Sequence, residues 1–190
     1  MQQALQDRGG KTAVVVIDVQ NDVVVDGFDS QNVVDRIGKV IDAARSAEIP
    51  VIYVQHEDEY MAPGTEGWMI RPEIAPFDGE PIVAKRFPDS FEETTFEETL
   101  SRLGIGHLII TGAQSDACVR ATSYRALSEG YDITLVSDAH TTSDREFEGT
   151  AIPAEITVAH VNSASPWITY PNTTSKVATH DAVIAGFGQS

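Results

Sequence analysis

Five consecutive apolar residues, Ala13-Val14-Val15-Val16-Ile17, constrain the fold of this chain more than any other feature. A strand in a half-exposed sheet alternates apolar and polar side chains, whereas one covered on both faces is apolar throughout, as in a parallel sheet between helices. The same logic repeats downstream. Asn32 to Ala47 carries Val33, Val34, Ile37, Val40, Ile41 and Ala44 at helical spacing. Strands are predicted at Thr12–Ile17, Val51–Val54, Pro81–Ala84, His107–Ile110, Ile133–Val136 and, as a short last one, Val177–Ala178. Between them, Phe96, Leu100 and Leu103 mark a helix ending near Gly104, and Ala117 to Leu127 reads as a helix stopped by Gly130. Pro153 opens a further helix carrying Ile156, Ala159 and His160. Strands alternating with helices imply an α/β protein with a parallel sheet and helices on both faces. No repeat, low-complexity tract or linker divides the chain, so residues 1–190 read as one domain with its core at about 12–180. The irregular stretch from Glu57 to Glu80 carries Tyr60, Trp68, Met69, Ile70 and Phe77, and reads as a pocket-lining loop.

Composition narrows the setting. A hydrophobic fraction of 42% over 190 residues supports a sizeable core. The single cysteine excludes an internal disulfide and suits a reducing compartment. Met1 to Arg8 lacks the apolar core of a signal peptide, and no apolar run is long enough to span a membrane, so a cytoplasmic location is expected. Twenty-nine acidic against 13 basic side chains give a net charge of −16. No Lys/Arg cluster is present to neutralise phosphates, which argues against a nucleic-acid partner. The acidity is read as solvated surface, as at Glu92-Glu93 and Glu97-Glu98.

Ligands of open parallel sheets bind beyond the carboxyl ends of the strands. Three chemically potent residues fall there: Asp18 after the first strand, Lys85 after the third, and Cys118 beyond the fourth. Cys118 is placed in the first turn of a helix, where the dipole and free N–H groups would favour its thiolate. The alternative for each is structural: a small buried filler for Cys118, a loop cap for Asp18, a solvated side chain for Lys85. Together they supply a nucleophile, an acceptor for its proton and a cation to hold the pair.

The segments Val16-Ile17-Asp18-Val19-Gln20-Asn21-Asp22, Lys85 with Ser90-Phe91-Glu92-Glu93-Thr94, Thr111 to Val119, and Val136-Ser137-Asp138-Ala139 occur in the order and spacing of one family. On these residues the chain resembles the isochorismatase-like cysteine hydrolases, from about Thr12 to the Pro153 helix. The resemblance implies a three-layer α/β/α sandwich around a six-stranded parallel sheet, a Rossmann-like arrangement. It implies an Asp–Lys–Cys triad at Asp18, Lys85 and Cys118. It also implies a non-proline cis peptide at Ala113-Gln114, which turns N–H groups there and at Cys118 toward an oxyanion. Nicotinamidases in this family bind a metal through Asp-x-His, and Gln55-His56-Glu57-Asp58-Glu59 lacks that spacing, so neither metal nor cofactor is expected. True isochorismatases lack the cysteine, so Cys118 points to hydrolysis of an amide or ureido bond in a small molecule. Gly64 to Ile70 with Pro72-Glu73-Ile74 looks most like the metal-independent amidase branch that contains streptothricin hydrolases. The resemblance further implies a homo-oligomer, dimer or tetramer, and Trp167 and Tyr170 are read either as its interface or as core.

Substrate contacts are expected from Gln20, Phe28, Trp68 and His140, each with a structural alternative: loop support for Gln20 and His140, a buried anchor for Phe28 and Trp68. Two rival readings stand beside the hydrolase. One uses a histidine, His140 or His56, as the base in place of Asp18. The other is a receiver- or flavodoxin-like binding module with Asp18 and Lys85 as a phosphoacceptor site, against which Asp18 follows the first strand and no GxGxxG loop is present.

Overall fold

The computed structural model describes residues 8–188. Met1 to Asp7, most of the segment expected not to be a signal peptide, lie outside them. In chain order the elements are β1 (Lys11–Ile17), α1 (Asn21–Val24), α2 (Ser30–Ser46), β2 (Val51–His56), β3 (Ile82–Lys85), α3 (Phe96–Leu103) and β4 (Ile105–Ala113). There follow α4 (Arg120–Ser128), β5 (Asp132–Thr141), β6 (Arg145–Phe147), β7 (Thr150–Ile152), α5 (Ala154–Ala164), β8 (Ser175–Ala178) and α6 (His180–Gly186). Six of the strands form one parallel sheet in the order β3-β2-β1-β4-β5-β8.

The apolar run is the heart of this sheet. Val14 and Val16 pack with Val33, Val34, Ile37 and Ile41 of α2 and Val183 of α6. Ala13, Val15 and Ile17 pack on the opposite face with Phe96 and Leu100 of α3, Ala126 and Leu127 of α4, and Val161 of α5. The result is a three-layer α/β/α sandwich, and β1 is apolar throughout because helices cover it from both sides. Each such Val or Ile contributes about 1.5–3 kcal/mol on burial. Gly104 ends α3 with φ 69, a left-handed cap that glycine takes without strain.

Register places the chemistry. Ile17 of β1 lies beside Val54 of β2 and Gly112 of β4, and His56 of β2 lies beside Lys85 of β3. The carboxyl ends of four neighbouring strands therefore converge on one edge. At that edge Gly112 has φ 116, and a Cβ there would sit 2.0 Å from the Ile17 carbonyl oxygen. Only glycine lets β4 approach β1 closely enough for the sheet to stay paired to its end.

The structure also corrects the predicted boundaries. β4 and β5 run past their apolar stretches, to Ala113 and Thr141. The hairpin β6–β7 and the helices α1 and α6 add to the predicted elements. All six residues of the hairpin's two strands are exposed, so no apolar alternation marks them. Trp167 is 84% exposed, which removes core packing as its role. Among the described residues no helix is long and apolar enough to cross a membrane.

Replacing Gly112 with alanine is expected to cost at least about 3 kcal/mol through the backbone clash and the positive φ. A fall of the urea unfolding midpoint, at unchanged slope, measures it.

Candidate active site

β1 ends at Ile17, and Asp18 turns away from the sheet with φ 49, a left-handed conformation that aspartate tolerates better than branched residues. Its N–H still bonds the Val54 carbonyl at 2.9 Å, which ties the turn to β2. Lys85 is the last residue of the short edge strand β3 and is only 1% exposed. After β4 the Ala113–Gln114 peptide bond is cis, and the chain enters a π-helical turn, Ser115–Val119, that runs into α4. Cys118 lies in that turn.

These elements bring the three residues together around the lysine. Lys85 Nζ is 2.7 Å from Asp18 Oδ2 and donates to Cys118 Sγ at 3.2 Å. It also lies 3.4 Å from His56 Nδ1. Asp18 is 2% exposed, and its other oxygen, Oδ1, is buried without a hydrogen-bond partner. Burial pushes the Asp18 carboxyl up, against the opposing pull of Lys85 and smaller help from Cys118 and His56.

The thiol departs from the sequence-based expectation. Burial, with the neighbouring Asp18 charge second, pushes Cys118 up to about 11, while Lys85 opposes the shift. The helix dipole was expected to favour the thiolate. Instead the sulfur is packed against the core between a carboxylate and an ammonium, and the thiol form prevails at neutral pH. The arrangement can therefore supply a nucleophile only if its proton is removed, and Asp18, whose charge acts on the thiol and whose Oδ1 has no hydrogen-bond partner, is an acceptor for it.

A second buried chain supports the cysteine turn. Ser115 Oγ is 2.7 Å from His140 Nδ1, His140 Nε2 is 3.0 Å from Asn162 Oδ1, and Asn162 Nδ2 donates to the Ser137 carbonyl at 2.8 Å. Because the Asn162 amide is oriented by Ser137, its oxygen accepts from His140, whose proton is thereby assigned to Nε2. Burial pushes the His140 pKa down, so the ring is neutral. Thus His140, expected to touch substrate or act as base, is a brace between β5, α5 and the cysteine turn.

Gln20 is likewise spent. Its amide N–H groups donate to the carbonyls of His56 and Trp68 at 2.9 and 2.8 Å, and its oxygen accepts from the His56 N–H at 2.9 Å. It clamps the Glu57–Glu80 loop to the sheet and offers nothing to Lys85. Trp68 contributes its carbonyl to this clamp, also accepting from Gln55, and its Nε1 is buried without a partner. Phe28 is 41% exposed and is fixed by backbone bonds to Thr142 and Thr141. A cavity of about 240 Å³ reaches Lys85, lined by Glu57, Ala84, Arg86, Phe87 and Glu93 and by none of the four residues expected to meet a substrate. Arg86 and Phe87 directly follow a strand end, and that position was the signal available for them. Gln114 Oε1 accepts from Arg145 at 2.6 Å, which anchors the β6–β7 hairpin beside the site. Among the described residues no group of three or more His, Cys, Asp or Glu side chains is arranged to hold a metal.

A three-layer parallel α/β fold with carboxylate, ammonium and thiol meeting at the carboxyl edge of its sheet defines a class of hydrolase scaffold. Residues 12–161 match the isochorismatase domain, and the chain belongs to the isochorismatase family of hydrolases. It is 31% identical over 153 residues to the uncharacterized isochorismatase family protein YddQ of Bacillus subtilis, covering 76% of this chain and 85% of that one. It is 32% identical over 139 residues to a streptothricin hydrolase of Streptomyces noursei, covering 70% of this chain and 55% of that longer protein. The crystal structure of an isochorismatase from Pseudomonas putida superposes with a TM-score of 0.80 at 29% identity, covering 90% of this chain and 89% of that one.

The charge arrangement sets the pH response of the thiol. Alkylation of Cys118 by iodoacetamide is expected to rise with a midpoint near pH 11, well above the ordinary thiol value of about 8.5. In Asp18→Asn the carboxylate that opposes the thiolate is gone, so the midpoint should fall; stopped-flow alkylation rates across pH measure both.

Proposed function

We propose that the protein is a cysteine hydrolase that cleaves an amide or ureido C–N bond of a small molecule. One observation carries the reading: Lys85 Nζ bridges Asp18 Oδ2 and Cys118 Sγ at 2.7 and 3.2 Å, while Asp18 Oδ1 is left buried and unpartnered. That oxygen is the acceptor the protonated thiol requires. As sulfur attacks the carbonyl carbon, Asp18 takes the thiol proton, and the carbonyl π electrons move to oxygen. The oxyanion is held by backbone N–H groups at Gln114 and Cys118, each such donor being worth about 3 kcal/mol. The tetrahedral species collapses with cleavage of the C–N bond, and Asp18 returns its proton to the leaving nitrogen. The product is a thioester from an amide, or a thiocarbamate from a ureide. Water then attacks this carbon and gives a proton to Asp18. The C–S bond breaks, and the proton passes to sulfur, restoring the thiol and releasing the acid.

Lys85 holds the carboxylate oriented throughout and stabilises negative charge on sulfur as it develops. The similarity to streptothricin hydrolase supports a hydrolytic reaction. The cavity beside Lys85, with Glu57, Arg86, Phe87 and Glu93, supports a small polar substrate. None of this chemistry needs a cofactor.

A panel of small amides and ureides, followed by ammonia or amine release, tests the proposal. Cys118→Ala should lower turnover of any accepted substrate by at least about 10³-fold while the thermal unfolding curve stays cooperative. Hydrolysis that survives in a folded Cys118→Ala protein overturns the assignment of the nucleophile.

A further inference from the structure

A lysine ammonium has three N–H donors, and it accepts nothing. The reaction proposed above employs two of those on Lys85, toward Asp18 and Cys118. The third has its own acceptor, His56 Nδ1 at 3.4 Å. Nδ1 can accept only if the ring proton sits on Nε2, and the far side of the ring shows why it does. His56 Nε2 lies 3.0 Å from Asp58 Oδ2. A carboxylate only accepts, so the proton belongs on Nε2.

Asp58 is itself oriented. Its Oδ1 accepts from the N–H groups of Tyr60 and Met61 at 2.8 and 2.7 Å, which leaves Oδ2 to face the imidazole. The His56 hydrogen bond and these two backbone donors hold the Asp58 carboxyl below its usual range, so it is ionised. The histidine backbone is equally fixed, with its N–H and C=O both bonded to the Gln20 amide. Its position directly across from Lys85 is set by the β2–β3 register.

We propose that His56 and Asp58 form a positioning pair for Lys85. Asp58 selects the Nε2–H tautomer of His56, so that Nδ1 takes the third N–H of the ammonium. The other two are then held on Asp18 and Cys118. The inference rests on Asp18, Lys85 and Cys118 being the reacting centre, and it assigns no bond-making to His56 itself.

The test reads the lysine–sulfur contact without any substrate: the rate of Cys118 alkylation by iodoacetamide at about pH 9, where the thiolate stabilised by Lys85 is the reacting form. The chain has one cysteine, so the site of reaction is unambiguous. His56→Leu, which removes the acceptor, is expected to slow alkylation about tenfold. His56→Asn should restore most of the rate, because its Oδ1 can occupy the place of Nδ1.

Asp58→Asn gives the sharper comparison. Its Oδ1 stays bonded to the Tyr60 and Met61 N–H groups, so the amide nitrogen replaces Oδ2 and donates to Nε2. The imidazole proton then moves to Nδ1 and confronts a Lys85 N–H, and the rate should fall as in His56→Leu. In a His56→Asn background the same Asp58→Asn change should have little effect, because no tautomer remains to be set. Equal losses from Asp58→Asn in both backgrounds, or a His56→Asn protein as slow as His56→Leu, overturn the proposal. Should His56→Leu fail to fold, the two Asp58→Asn measurements decide alone, since Asp58 lies on the exposed side of the ring. Failure here is separate from failure of the hydrolase reading, which is judged by amine release in Cys118→Ala.

Discussion

The Asp18–Lys85 ion pair is the constraint on which the rest of the site depends. Both side chains are almost wholly buried, and removing two charges from water costs several kcal/mol for each before their attraction is counted. Such a pair adds little to stability against an apolar substitute of the same volume, whereas losing one partner leaves an uncompensated charge at a cost of about 3–5 kcal/mol. The pair therefore has to be delivered with both members in place. The fold does so by ending β1 and β3 on the same edge with β2 between them, in a register that places His56 beside Lys85. The sulfur of Cys118 enters from β4 on the other side, and the ammonium becomes the common neighbour of all three groups.

The surroundings keep that delivery rigid. Gly112 allows β4 to run close along β1 up to the cis bond, and the Ser115–His140–Asn162 chain pins the π-helical turn that follows. Gln20 performs the matching task on the opposite side, joining the end of β2 to the long loop through three amide contacts. Buried polar side chains are costly unless fully bonded, and in both networks the partners are supplied by the backbone or by another fixed side chain. The polar residues packed behind the site thus act as its scaffold, and the cavity is left to be lined by the end of β3 and the residues that follow β2 and β3.

This division explains what the sequence disclosed and what it withheld. The apolar run at 13–17 revealed the parallel sheet, and residues standing at strand ends revealed Asp18, Lys85 and Cys118, because strand period and strand ends are local properties. Gln20 and His140 were legible as polar residues near the site, but their saturation was not. It depends on the Trp68 carbonyl, 48 residues from Gln20, and on Asn162, 22 residues from His140. The exposed hairpin Arg145–Ile152 has no apolar pattern to read, and α6 is only seven residues long. The state of the thiol is hidden from the sequence for a related reason. A helix terminus is visible in sequence, whereas burial and the approach of the Asp18 charge are consequences of packing.

The protonated state of the thiol bears on how the site would work. A thiol kept protonated at neutral pH is resistant to adventitious alkylation and oxidation, both of which follow thiolate content. Nucleophilicity of a thiolate rises with its pKa, with a Brønsted coefficient of about 0.4–0.5, so a sulfur held near 11 is intrinsically more reactive once deprotonated than one held near 7. Such a sulfur needs a base at hand, and the base must itself have raised proton affinity to compete. Burial raises the Asp18 carboxyl in the same pocket that raises the thiol, which narrows the gap between them. Lys85 then sets the balance, since it favours the charged form of either partner and lies within 3.2 Å of both. Moving the proton from sulfur to Asp18 transfers negative charge from one neighbour of the ammonium to the other, with little change in the charge of the buried site as a whole. In the proposed reaction, burial of the three groups together thus lets a strong nucleophile rest as a thiol and form its thiolate at a cost the adjacent pair can offset.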